Sequence, residues 1–435
     1  MGGTEANRTD GRVVRPRWRA KTGLPCLFSV LGVGLVLSVL YLSAFTFLRP
    51  RPQTYAIALG DLDGDGDLDA FYANGESEAP HPNMVLINLG GSQDGRPAQF
   101  QVSGERLGNF LSRSVELADL DGDGDLDAWV THEAFVTIFY NNGQGRFAAN
   151  SQTFPERDPI YGSGQWVFAL GDLDSDGDPD ALAGGCCGTM VIFKDPPGEY
   201  FKPFNLIWVN QGGVQYGTPG DFIDSGERLE SLGAQGVALG DLDSDGYLDA
   251  FFGNHFIMRQ PDGELSDSQP NTVWWNDGQG RMVDSGQRLG SAQTKNVALG
   301  DLDGDGDLDG YSANYGPDEV WLNAGGKQGG QPGAFQDSRQ RLGDALSTRI
   351  FLADMDGDGD LDAAVTTEGW RTTLEIRFND GQGNFSGVRQ RLGPFKAQAF
   401  ALGDLDGDSD LDVLAGWFEH GYTIWWNRGE GRFGR

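Results

Sequence analysis

Residues 300–310 read GDLDGDGDLDG, five aspartates within nine positions from Asp301 to Asp309. Carboxylates packed this closely repel one another, so the stretch calls for a bound cation or an unusual turn. It recurs seven times: GDLDGDGDLDA at 60–70, ADLDGDGDLDA at 118–128, GDLDSDGDPDA at 171–181, GDLDSDGYLDA at 240–250, GDLDGDGDLDG at 300–310, ADMDGDGDLDA at 353–363 and GDLDGDSDLDV at 403–413. The spacings between first aspartates are 58, 53, 69, 60, 53 and 50 residues, in the range of a repeat architecture.

Charge ties these loops to metal. The chain carries 64 acidic and 32 basic residues, and the net charge of −32 becomes +2 once the 34 loop aspartates are set aside. The acidity is therefore local, and nucleic acid is not expected as a partner, since binding its phosphates needs a basic patch. The pattern D-x-D-x-D-G-x-x-D suits Ca²⁺, a hard ion that takes six to eight oxygens from a loop curling around it.

The candidate ligands are Asp61, Asp63, Asp65, Asp67 and Asp69 in the first loop, and Asp119, Asp121, Asp123, Asp125 and Asp127 in the second. The third offers Asp172, Asp174, Asp176, Asp178 and Asp180, and the fourth Asp241, Asp243, Asp245, Tyr247 and Asp249. The fifth has Asp301, Asp303, Asp305, Asp307 and Asp309, the sixth Asp354, Asp356, Asp358, Asp360 and Asp362. The seventh has Asp404, Asp406, Asp408, Asp410 and Asp412. Positions 1, 3 and 5 supply carboxylates, position 7 its backbone carbonyl, and position 9 closes the site. Position 6 makes the sharp turn that favours glycine, and Ser409 departs from it. A metal-free Asp-Gly turn is the competing account of any single copy. Seven copies that keep aspartate at positions 1, 3, 5 and 9 favour up to seven structural calcium ions.

Short apolar runs flank each loop, such as YAIAL before the first and LDAFFGN after the fourth, and pair as a hairpin around it. A third run ends in a hydrophobic–aromatic–Asn signature, at Asn88, Asn141, Asn210, Asn276, Asn323, Asn379 and Asn427. A Gly-rich turn then leads to a fourth run carrying sequences such as DSGQRLG at 284–290. Four antiparallel strands in each repeat, seven times over, predict an all-β, seven-bladed β-propeller. Strand aromatics are expected to pack between blades.

These loops and strands resemble FG-GAP/VCBS repeats, the units of the integrin α-like β-propeller, over residues 54–435. The resemblance implies one Ca²⁺ per loop and extracellular exposure. It leaves chemistry open, because one fold hosts many functions.

Residues 24–48, LPCLFSVLGVGLVLSVLYLSAFTFL, contain no charge and are long enough for one transmembrane helix. Residues 1–23 carry six basic and two acidic side chains, so the positive-inside bias retains them in the cytoplasm and exports the propeller. The organisation expected is a cytoplasmic tail (1–23), a signal-anchor (24–48), a linker (49–53) and the propeller (54–435). A cleaved signal peptide would instead give a secreted protein. The three cysteines, Cys26, Cys186 and Cys187, make no disulfide framework.

Strand alternation puts the metal loops and the 3–4 turns on one face, and the variable 2–3 and 4–1 connections on the other. Binding residues gather on variable loops over a rigid scaffold, which makes the second face the candidate site. His132, His255 and His420 fall there, with Trp417 and Tyr315. No H-E-x-x-H, G-x-S-x-G or P-loop occurs, so catalysis has little support. The expected function is a membrane-anchored, calcium-stabilised extracellular propeller that binds a protein or glycan at the cell surface. The alternative is an extracellular carbohydrate-active lyase or hydrolase at the central channel mouth, where QTKN (293–296) and STRI (347–350) could supply a cationic cluster. The last blade stops at GRFGR (431–435), so blade seven is expected to have a short or missing outer strand.

Overall fold

A computed structural model describes residues 53–75, 81–90, 98–132, 135–150, 152, 166–185, 204–212, 217–230, 233–255, 258–259, 265–266, 269–326, 329–368, 372–395, 399–417 and 421–435. The expected signal-anchor at 24–48, the cysteines and His420 lie outside them. Among the described residues no helix is long and apolar enough to cross a membrane.

The apolar runs form seven antiparallel sheets in chain order, each a path of four strands from an inner to an outer one, with a short fifth strand on the third in blades one and three. The inner strands are Gln53–Gly60, Ser112–Ala118, Trp166–Gly171, Ala234–Gly240, Thr294–Gly300, Leu346–Ala353 and Ala399–Gly403. Each pairs with the strand just beyond its Asp loop, as Thr294–Gly300 does with Asp309–Asn314. The second strands are buried along almost their whole length. They therefore read as continuous apolar runs, not as alternating patterns.

Seven separate hydrophobic cores fill the spaces between neighbouring sheets. One joins blades two and three through Trp129, Phe168 and Trp208. Another joins blade seven to blade one through Leu414, Ile424, Tyr72 and Met84. A chain of seven blades with seven inter-blade cores is a closed ring, and its strand aromatics pack between blades as expected. The architecture is a seven-bladed β-propeller.

One expectation needs correcting. The RLG run is not a continuation of the fourth strand in blades three to five. There the fourth strand is only three residues long, as in Met282–Asp284, and a left-handed residue breaks it: Gly226 (φ 84°), Gly286 (φ 79°) or Arg339 (φ 65°). The following leucine then turns back toward the third strand, as in the Asn271–Leu289 bridge. The break is held by a fork: Arg228, Arg288 and Arg341 each reach an aspartate four residues earlier at 2.6–3.0 Å. In the long connection after Asp249–Asn254, Met258–Arg259 pairs with Leu265–Ser266 in a small ribbon. The outer strand of blade seven, Phe433–Gly434, is short as expected. Blade two has an equally short one, Ala148–Ala149, so shortness is no mark of the ring seam.

Candidate metal centres

Each Asp loop joins an inner strand to a second strand, and its own side chains fold it. The position-1 aspartate accepts backbone N–H groups from the loop it opens: Asp61 takes those of Gly64, Asp65 and Gly66 at 2.8–3.1 Å. The position-5 Oδ1 accepts the position-7 N–H in every loop, at 2.9–3.0 Å. Position 6 requires the left-handed region, with φ of 94–102° at its six glycines and 76° at Ser409.

The position-9 aspartate does a different job. Asp309 is fully buried, its Oδ2 accepting the Leu302 N–H at 2.9 Å and its Oδ1 the Asn323 N–H at 2.7 Å. The same two bonds recur at Asp69, Asp127, Asp180, Asp249, Asp362 and Asp412. Position 9 thus ties the loop to the end of the third strand. Burial nonetheless pushes all seven carboxyls up to about 7, outweighing the two N–H groups that favour their ionised form.

Position 3 is where charge is left uncompensated. In five loops the Oδ1 atoms of Asp63, Asp121, Asp243, Asp356 and Asp406 are buried without a hydrogen-bond partner among the described residues. Burial, and next the neighbouring position-5 aspartate, raises the pKa of each. Oxygens of positions 1, 3 and 9 lie within 4.8 Å of one another in Asp61/Asp63/Asp69, Asp172/Asp174/Asp180, Asp241/Asp243/Asp249 and Asp301/Asp303/Asp309. In the second loop the group is Asp119/Asp121/Asp123, and two further groups exist. A buried anionic oxygen facing two more carboxylates is a cation-binding arrangement.

Position 7 points its side chain elsewhere, over the glycine of its own blade's 3–4 turn. Asp125 lies against Gly143, Asp360 against Gly381 and Tyr247 against Gly278. Tyr247 thus takes the same place over the turn as the aspartates do at this position.

Sequence reading noticed the strand-ending asparagines but missed their role. Each donates its Nδ2 to the position-2 carbonyl of the preceding blade's loop: Asn141 to Leu62, Asn210 to Leu120, Asn276 to Leu173, Asn323 to Leu242, Asn379 to Leu302 and Asn427 to Met355, at 2.7–2.9 Å. Asn88 completes the circle to Leu405 at 3.5 Å. The signal was the sevenfold recurrence of Asn at one place. A second clasp runs outside it, where Gln287, Gln340 and Gln390 grip the backbone of Phe335, Phe385 and Phe433 in the next blade.

His132 and His255 each lie among aromatic side chains. His132 ends the strand Asp127–His132, buried between Phe110 and Phe135 with its ring nitrogens bonded to Ser112 and Thr137. His255 sits apart, edge-on to Tyr315 at 5.0 Å.

The FG-GAP-like repeat model matches residues 61–130, 119–183, 262–312, 301–365 and 354–415. Cartilage acidic protein 1 of Xenopus tropicalis is 24% identical over 74% of this chain and 50% of its own length. The mouse protein of the same name is 24% identical over 76% of this chain and 50% of its own. The chain thus spans about half the length of these curated relatives. Among solved structures, an Agrocybe aegerita lectin described as recognising non-reducing terminal N-acetylglucosamine aligns at TM-score 0.48 with 19% identity, covering 87% of this chain and 92% of that one. A Bacillus licheniformis rhamnogalacturonan lyase aligns at TM-score 0.43 with 14% identity, covering 86% of this chain and 71% of that one. The repeat matches cover more than half of the sequence, and the chain belongs to the FG-GAP-like repeat family.

Proposed function

We propose that this protein is an extracellular recognition propeller whose loops bind up to seven Ca²⁺ ions through positions 1, 3, 5 and 9 and the position-7 carbonyl. The observation that supports calcium best is the buried, unpartnered Oδ1 of Asp63, Asp121, Asp243, Asp356 and Asp406, repeated at one loop position. Bound calcium supplies the positive charge that these oxygens and the raised position-9 carboxyls lack. The chain's own part is to hold the loop: position 1 through backbone N–H groups, position 9 through the Leu and Asn amides. Because the same loops receive the Asn clasps, ion binding stiffens the contacts between blades and so the whole ring.

On this reading the metal face is scaffold, and a protein or glycan partner docks elsewhere on the propeller. The similarity to cartilage acidic protein 1 supports a recognition role outside the cell. The uncharged stretch 24–48 is proposed as the anchor that holds the propeller at the cell surface.

Calorimetry of the full chain tests the calcium reading. Chelation is expected to lower Tm steeply, and Ca²⁺ to restore it far better than Mg²⁺, whose octahedral shell fits such loops poorly. An unchanged Tm after complete chelation removes the proposal. A glycan and protein array probed with and without EDTA then tests recognition, with calcium-dependent binding expected.

A further inference from the structure

Three cations of this acidic chain stand at the end of the ring away from the metal loops. Inner strands begin at the end of the ring opposite those loops, and three of these starts carry Arg113, Lys295 and Arg349. Arg349 extends from blade six past blade seven, and its Nη2 donates to the Tyr55 carbonyl of blade one at 3.0 Å. Arg113 of blade two lies 4.5 Å from the ring centre of the same Tyr55. Lys295 of blade five donates to Gln235 Oε1 of blade four at 2.7 Å and stands 4.9 Å from the Tyr315 ring. The three cations therefore surround one mouth of the central channel.

Arg349 is the decisive residue. It is half-buried, burial lowers its pKa, and no described carboxylate lies within ion-pair distance of it. A guanidinium has five N–H donors, and the Tyr55 carbonyl takes up one of them. The single acidic side chain in the described inner strands, Glu116, stands only three residues before its loop, against five for Arg349 and six for Arg113 and Lys295. That difference puts it roughly 7–10 Å farther down the channel. It is also bonded to the Leu170 backbone.

We propose that this channel mouth is a binding site for an acidic saccharide, whose carboxylate is held by the Arg349 fork with Lys295 and Arg113 adding charge on either side. An Arg fork matches a carboxylate bidentately, which a point charge does not. The hydroxyls of Tyr55 and Tyr315 and the amide of Gln235 suit sugar hydroxyls around that carboxylate. A peptide would need an apolar anchor in addition to its charge.

Titration calorimetry of the calcium-saturated full chain tests this, with digalacturonate, its methyl ester and a free-carboxylate tripeptide as probes. Digalacturonate is expected to bind, with the neutral ester and the tripeptide at least about tenfold weaker. Arg349→Lys should weaken binding about fivefold or more and Lys295→Gln measurably, while Arg288→Gln at the outer rim leaves it unchanged. If Arg349→Lys lowers Tm, Lys295→Gln decides alone. No binding of the acid, binding that survives both substitutions, or a tripeptide that binds as tightly would each overturn the site. Loss of the site with calcium-dependent Tm intact would leave the calcium reading standing.

Discussion

At the scale of single residues, the Asp loop divides its labour in a way that substitution can expose. Asp362 holds the Met355 and Asn379 amides at 3.1 and 2.9 Å whether or not an ion is present, whereas the buried Asp356 Oδ1 has no such task. Asp362→Asn should therefore cost about 1–3 kcal/mol with and without calcium, because the amide nitrogen that replaces one oxygen cannot accept the N–H which that oxygen held. Asp356→Asn should lower Tm only when calcium is present, and leave it level or raised in EDTA, where one repelling charge has gone. Equal behaviour of the two variants in EDTA would contradict this division. Ser409 offers the reverse test. Held at φ 76°, it carries left-handed strain that its six glycine counterparts avoid, so Ser409→Gly should stabilise the chain by about 1 kcal/mol. His132 adds a pH dependence. Burial lowers its pKa to about 3 against an ordinary value of 6.5, so the unfolded chain takes up its proton first as pH falls. Its stabilising contribution is full above about 6.5 and declines between there and about 3. The Tm advantage of wild type over His132→Gln should accordingly shrink from pH 7 to pH 4.

At the scale of elements, the repeat announced itself because its period, its loop and its strand lengths agreed. Hairpins around the loops followed from Gly and Asp boundaries, and the buried second strands from unbroken runs such as DAFFGN and DAAVTT. What did not follow was how one strand is cut in two. DSGQRL reads as strand by its alternation, but a glycine held at φ 79° and an Arg288–Asp284 fork turn the chain there. The forks lie at a third or more exposure, where an ion pair contributes little, so their role is shape more than stability. The clasps were illegible for a different reason. The partner of Asn323 is a carbonyl 81 residues away, and local pattern carries no information about which blade comes to lie beside it. Removing a clasp is a long-range test. Asn323→Ala removes a 2.8 Å bond and leaves the buried Leu242 carbonyl without that donor, at an expected cost of about 1–3 kcal/mol.

At the scale of the whole molecule, the ring must close between its two chain ends, and no strand is exchanged there. Blade one is built from residues 53–102 with a further segment at Leu107–Phe110, and blade seven from residues 399–434. Blades six and seven are joined by a clasp of 2.8 Å from Asn427 to Met355, but the clasp from blade one to blade seven is stretched to 3.5 Å. A hydrogen bond of that length is weak. Chain continuity, which ties every other pair of neighbours covalently, is also missing at this seam. What remains is the core around Tyr72, Met84, Leu414 and Ile424, together with the bridge from Arg349 to Tyr55. The seam should therefore open before any other interface. Hydrogen exchange on the calcium-loaded chain would show it: amides of Gln53–Gly60 and Ala399–Gly403 are expected to exchange faster than those of Thr294–Gly300, which lies between two covalently connected blades. Asn88→Ala should then cost less than Asn323→Ala, since the bond it removes is already weak. Uniform protection around all seven inner strands, or equal costs for the two asparagines, would mean that the seam core alone closes the ring as firmly as the other interfaces.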